Sequence, residues 1–281
     1  MTTVALFGAG GKMGIRTSEN MKDSEFDMLY VEPGAAGVER LKALGLAPTP
    51  ADAALAQADA VILAVPDELM ERIAADVVPK MKSGAILITL DAAIPYAGKL
   101  PKRGDVAYFV THPSHKGSWF KKKTQSLVNA LIQGTDAQYA LGERIARQMH
   151  RPVGDSYRLT LEQMMLLEPA VAESLGVACR IAVTKAIEEV VRLGVPKDAA
   201  VDFITGHLGG VIGGATRDPG HRGWLSEGAL LIGDWAYSTV FREGWEKILT
   251  PAGLREQAKV IAAGTYEGRK ELARTTIDMP Q

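Results

Sequence analysis

Along the first half of the chain, short runs of apolar residues alternate with longer amphipathic stretches. Val4-Ala5-Leu6-Phe7 has the length of a buried strand and runs into Gly8-Ala9-Gly10-Gly11-Lys12-Met13-Gly14, and Ile15 to Met21 then reads as a helix. A second strand, Met28-Leu29-Tyr30-Val31-Glu32, precedes a helical stretch from Ala36 to Leu44. A third strand spans Asp59 to Val65 and is stopped by Pro66, which has no N–H to give to a ladder, so Asp67 is left at the strand's carboxyl end. Ala85 to Leu90, Asp105 to Thr111 and Leu127 to Ile132 read as further strands, and Thr135 to Met149 as a helix. This alternation predicts a doubly wound parallel sheet of the Rossmann type over residues 1–155.

Near residue 155 the pattern changes. From Thr160 to Leu193 apolar positions recur at helical spacing, with Pro169 and Gly176 as the expected breaks, and Gly194-Val195-Pro196 ends the stretch. Lys197 to Leu208, Leu225 to Ile248 and Pro251 to Gly264 read as further helices. Residues 156–281 are thus expected to form an all-α domain for substrate binding and dimerisation. Long apolar helices with few loops commonly bury surface against a second subunit, so a homodimer is the expectation.

Composition adds limits rather than direction. With 281 residues, 47% of them hydrophobic and 23% charged, the chain can bury one large core or two modest ones. A net charge of −1 offers no general attraction to nucleic acid or to an anionic membrane, and the short basic run Lys121-Lys122-Lys123 reads as a solvated loop. Cys179 is the only cysteine, which excludes an internal disulfide and a thiolate zinc cluster. The first strand begins at Val4 with no leader-like segment before it, and no apolar run approaches the roughly 18 residues of a membrane span, so a cytoplasmic protein is expected.

The glycine turn carries the first chemical suggestion. Glycine permits positive φ and leaves no Cβ in the way, so a pyrophosphate can approach backbone N–H groups and the positive end of the following helix. Gly8 and Gly10 occupy the first two places of the dinucleotide fingerprint, but Met13 stands where its third glycine belongs and Gly14 follows one step late. Glu32, at the end of the second strand, is placed to accept from both ribose hydroxyls and would repel a 2′-phosphate, which favours NAD over NADP. Candidate cofactor contacts are Gly8, Gly10, Gly11, Lys12, Met13 and Glu32, with Pro66 and Asp67 on the same sheet edge. A glycine turn in some other α/β protein is the competing explanation.

Four constellations could carry the reaction. His112-Pro113-Ser114-His115 places two imidazoles just beyond a strand end, on the edge where nicotinamide should lie; histidine there can take a hydroxyl proton or bind a metal. Glu162, Glu168 and Glu173 lie on the first long helix, and Leu166-Leu167-Glu168-Pro169 sets one carboxylate against apolar neighbours, a costly placement unless it is paired. A solvated helix face is the alternative for all three. Lys185 stands one turn from Glu189, as an ordinary helical ion pair would. Gly206-His207-Leu208-Gly209-Gly210-Val211-Ile212-Gly213-Gly214 is dense in glycine, which predicts close packing or a turn beside a ligand, with His207 either facing a cleft or satisfied in a core.

Thr160-Leu161-Glu162-Gln163-Met164-Met165-Leu166-Leu167-Glu168-Pro169, followed by Gly194-Val195-Pro196 and Asp202-Phe203-Ile204-Thr205-Gly206-His207, resembles the C-terminal domain of a branch of the 6-phosphogluconate dehydrogenase-like oxidoreductases. With the glycine turn in front, the likeness covers nearly the whole chain. It implies NAD-linked oxidation of a branched sugar acid, an α-ketol rearrangement of the product, and a divalent metal, zinc or similar. In that scheme His112 is the acid/base, His115 a metal ligand, and Glu189 or Glu168 the carboxylate that completes the site, with His207 a further catalytic candidate. One departure from the wider family is plain: no lysine–asparagine pair stands at one-turn spacing on the first long helix, where Lys185 with Glu189 is nearest, and this weakens a decarboxylating reaction. A plain NAD-dependent 2- or 3-hydroxyacid dehydrogenase, needing no metal, is the alternative enzyme, and an NAD-sensing protein without catalysis is the alternative outside enzymes.

Overall fold

In a computed structural model of the chain, which describes residues 1–114, 124–217 and 225–263, the six apolar runs become strands of one seven-stranded sheet, and a largely polar segment that the pattern does not predict, Val153–Arg158, supplies the seventh. In chain order its first part is β1 (Thr3–Phe7), α1 (Lys12–Met21), β2 (Asp27–Val31), α2 (Ala35–Ala43), α3 (Ala51–Gln57), β3 (Ala60–Leu63) and α4 (Asp67–Val77). There follow β4 (Ile86–Thr89), α5 (Ala93–Tyr96), β5 (Ala107–Pro113), β6 (Gln125–Gln133), α6 (Asp136–Met149) and β7 (Val153–Arg158). The strand order is β2-β1-β3-β4-β5-β6-β7. Chain order reverses between β1 and its two neighbours, which creates a crevice at their carboxyl ends.

Strands β1 to β5 pair in parallel, as the alternating pattern predicts. β6 instead runs antiparallel to β5, with a register shift between Tyr108 and Phe109, and β7 is parallel to β6. The connection from β5 to β6 is only residues 114–124, shorter than the dozen or more that a parallel crossover needs. β5 also runs two residues beyond the sequence expectation, so His112 stands inside the strand rather than after it.

Alternate side chains of the strands feed two cores, one on each face. Val4, Leu6, Ile62, Ile88 and Phe109 pack with Met21, Leu41, Ile145 and Met149 on one side; Ala5, Phe7, Val61, Leu63, Leu87 and Tyr108 pack with Leu55, Met70 and Ile94 on the other. Helix α6 begins with a capping box: the Thr135 hydroxyl accepts from Gln138 N–H at 3.3 Å and the Gln138 side chain accepts from Thr135 N–H at 2.8 Å.

Beyond β7 the chain is helical: α7 (Leu161–Met165), a π-helical stretch Leu166–Leu175, α8 (Gly176–Arg192), α9 (Lys197–Arg217), α10 (Glu227–Val240) and α11 (Pro251–Ala263). The expected breaks have physical effect. Pro169 has no N–H for an i→i−4 bond and lies inside the π stretch, and Gly176 opens α8. The glycine-dense segment, in contrast, is not a turn. α9 continues through it, and among the described residues nothing outside its own helix turn lies within 4 Å of where a Gly206 Cβ would stand. Two compact units result among the described residues: 1–114 with 124–169 and 254–263, and 170–217 with 225–253. In the second unit α8 and α9 pack together across Gly194, at φ +102, whereas α10 has no buried residue and leaves Leu231 74% and Trp235 69% exposed. Among the described residues no helix is long and apolar enough to cross a membrane.

Tyr30 on β2 is buried, and its hydroxyl has no hydrogen-bond partner among the described residues. Burial, and secondarily the charge of Asp23, push this phenol up to about 12. The folded state therefore favours the neutral form. That contribution is complete below pH ~10 and is lost as the pH rises toward 12. Tyr30→Phe is expected to leave stability at pH 8 unchanged or raised by ~1 kcal/mol. It should also make the alkaline loss shallower, as urea midpoints at pH 8 and pH 11 would show.

Candidate active site

At the crevice, β1 ends on Phe7 and the chain turns through Gly8, whose φ of +74 few residues other than glycine adopt. Here backbone packs directly on backbone. A Cβ on Gly8 would lie 2.5 Å from the Ala64 carbonyl oxygen, one on Gly10 would lie 2.4 Å from the Gly37 backbone, and one on Gly14 would lie 1.9 Å from the Gly8 oxygen. Gly14 thus performs the strand-to-helix packing of the fingerprint's third glycine, one residue late, and Met13 is accommodated because that task falls elsewhere. Gly11 caps α1 without a side chain, so the first-turn N–H groups of Lys12 and Met13 lack intrahelical acceptors and form an anion-binding end.

Glu32, just past β2, reaches back to this turn. Its Oε2 accepts from Gly10 N–H at 2.9 Å and its Oε1 from Gly34 N–H at 2.8 Å. A carboxylate offers about four acceptor positions, so about two remain for the two hydroxyls of a ribose. Pro66 caps α4 and Asp67 opens it, at the end of neighbouring β3.

Further along the same edge His112 is half-buried near the end of β5. Its Nδ1 is 2.9 Å from the Leu90 carbonyl oxygen, which can only accept. Nδ1 therefore carries the hydrogen, and in the neutral ring Nε2 is left as the base. Glu168 Oε1 lies 3.5 Å from the same Nδ1. A capping box positions this carboxylate: Gln163 N–H donates to Thr160 Oγ1 at 3.1 Å, which starts α7, and the π turn then places Glu168 against the sheet with its side chain only 12% exposed. Glu162 and Glu173, in contrast, are solvated. Of the three carboxylates on the helical run, Glu168 alone is both withdrawn from water and beside a histidine.

Two further candidates belong to the second unit, and each is engaged locally. His207 is exposed on α9, stacked on the Phe203 ring at 4.0 Å with its Nδ1 3.0 Å from the Phe203 carbonyl, so it is not a core histidine. Glu189 pairs with Arg192 rather than with Lys185, and that guanidinium holds its carboxyl below the ordinary range. His115 and Lys121 to Lys123 lie outside the described residues. Among the described residues no group of three His, Cys, Asp or Glu side chains could hold a metal ion. Two participants escaped sequence reasoning. The Leu90 carbonyl carries no side-chain signal at all. Asp91, next to it, accepts from Ala93 N–H at 2.6 Å and so starts α5, a role that its place after a strand and before an apolar turn could have suggested.

The family model for the C-terminal domain of decarboxylating phosphogluconate dehydrogenase matches residues 120–262, and that for the NADPH-binding domain of acetohydroxy acid isomeroreductase matches residues 1–129. D-apionate oxidoisomerase from Rhizobium rhizogenes is 41% identical over 268 residues, 89% of this chain and 96% of its own. The chain belongs to the D-apionate oxidoisomerase family. The D-apionate oxidoisomerase of Cupriavidus necator is 38% identical over 92% of this chain and 98% of its own. A crystal structure from C. necator, described as a semialdehyde dehydrogenase NAD-binding protein in complex with calcium and NAD, superposes with a TM-score of 0.86 at 37% identity, covering 93% of this chain and 99% of that one. An NADH-preferring ketol-acid reductoisomerase from an uncultured archaeon shares the fold, with a TM-score of 0.67 at 20% identity, over 94% of this chain and 82% of its own. For a D-apionate oxidoisomerase family member the glycine turn is an informative place to cut. Gly14→Ala forces α1 away from β1 and is expected to cost on the order of 1–3 kcal/mol, read as a lowered urea midpoint.

Proposed function

We propose that this chain oxidises D-apionate with NAD and rearranges the product by an α-ketol shift to 3-oxo-isoapionate. The observation that carries the reading is the His112–Glu168 pair, with Nε2 left as the base, on the sheet edge that also bears the dinucleotide turn. Relatives matched over nearly their whole length that bear the oxidoisomerase name support it. Bound NAD would be held by Gly8, Gly10, Gly11, Lys12, Met13 and Glu32, with Pro66 and Asp67 beside it, and would supply the oxidising power.

As the C2 hydroxyl is oxidised, His112 takes its proton at Nε2, and Glu168 balances the imidazolium. The first proton is lost to solvent. The base then takes the proton of the C3 hydroxyl, the hydroxymethyl carbon moves from C3 to C2 with its bonding pair, C3 becomes the carbonyl, and the C2 alkoxide takes the proton back. His207 is a further catalytic candidate on the second unit.

The divalent metal belongs to this proposal only as a requirement to be tested. His115 and Glu189 would be its donors; His115 lies outside the described residues, and the steps above are those of the chain's own groups. Residues 1–155 would hold the cofactor and 156–281 would serve the substrate and the dimer. The exposed apolar side chains of α10 support a homodimer, because a patch of that kind is unusual on a monomer. Dependence on NAD is in keeping with a cytoplasmic location.

With D-apionate, NADH should form, and NMR should show a rearranged skeleton; oxidation with the skeleton intact would leave a plain hydroxyacid dehydrogenase. Running the assay with a chelator decides the metal. His112→Asn is expected to lower kcat by roughly 10²–10⁴-fold with NADH binding retained, as stopped-flow turnover and cofactor titration would report.

A further inference from the structure

Gly10 is held from both sides. Glu32 accepts from its N–H at 2.9 Å, and Arg40, in the last turn of α2, donates from Nε to its carbonyl oxygen at 2.7 Å. Gly37 makes the approach possible, since a Cβ there would lie 2.4 Å from the Glu32 carboxyl carbon. A carboxylate and a guanidinium thus converge on one residue of the dinucleotide turn. Arg40 is exposed, and of its five N–H donors the bond to Gly10 uses one. A guanidinium fork matches a phosphate with two parallel donors.

We propose that Arg40 is a latent anchor for a 2′-phosphate and that Glu32 alone keeps the chain selective for NAD. The inference rests on the NAD reading above. Under it, discrimination is repulsive: the cation that NADP would need is already in place, and the carboxylate beside the same residue turns the phosphate away. Arg40 meanwhile supports the turn through the Gly10 carbonyl.

The test is direct binding, followed by the fluorescence of NADH and NADPH titrated into wild type, Glu32→Ser, Glu32→Gln, Arg40→Ala and Glu32→Ser/Arg40→Ala. Glu32→Gln keeps an acceptor near Gly10 N–H, so it serves if the serine variant loses its fold. Wild type should prefer NADH. Either single Glu32 variant should bind NADPH at least about tenfold tighter than wild type does, and the double variant should lose that gain, because a bidentate phosphate contact is worth about this much. Survival of the gain without Arg40 overturns the proposal, as does a Glu32 variant that binds NADH but gains nothing for NADPH. A wild type that binds neither nucleotide overturns the NAD reading and this inference together.

Discussion

The first unit depends on contact between bare backbones. At Gly8, Gly10, Gly14 and Gly37 the chain passes so close to itself that a single methyl group would overlap main-chain or carboxyl atoms. Removing those Cβ atoms brings α1 onto β1 and α2 onto the turn, and the shortened distance lets Glu32 and Arg40 reach Gly10 from either side. Ordinary burial of strand side chains on both faces stabilises the sheet as a whole. The glycine contacts decide something narrower: where the free N–H groups of α1 point, and which charges surround them.

Much of this was legible because it rests on local pattern. Apolar runs of strand length became strands, Thr135 and Thr160 opened helices, and Pro169 and Gly176 fell where helical geometry changes. What escaped depends on partners distant in sequence. The antiparallel setting of β6 follows from the short connection after β5, and the place of His112 inside β5 follows from pairing with β6, where His112 faces Val128. Composition misled at α9: glycine is costly in a helix, yet the helix continues through Gly206 to Gly214.

The candidate site divides in the same way. Glu168 could be singled out because Leu166, Leu167 and Pro169 surround it with apolar sequence, and the fold withdraws it from water beside His112. The ion pair foreseen for Glu189 goes to Arg192 instead of Lys185, a choice between two neighbours on one helix that spacing does not make. The Leu90 carbonyl belongs to a residue whose side chain gives no hint of the role, and its hydrogen bond to His112 is visible only once β4 and β5 are side by side.

That hydrogen bond also governs proton traffic. A carbonyl oxygen accepts a hydrogen bond but does not take the proton away, so an imidazole tied to one at Nδ1 is no through-passage to bulk water. A proton that arrives at Nε2 can go back the way it came, while Glu168, 3.5 Å from Nδ1, offers the charge that holds the ring protonated meanwhile. An imidazole held in this way suits the second stage of the reaction, in which a proton is borrowed from one oxygen of a molecule and returned to another.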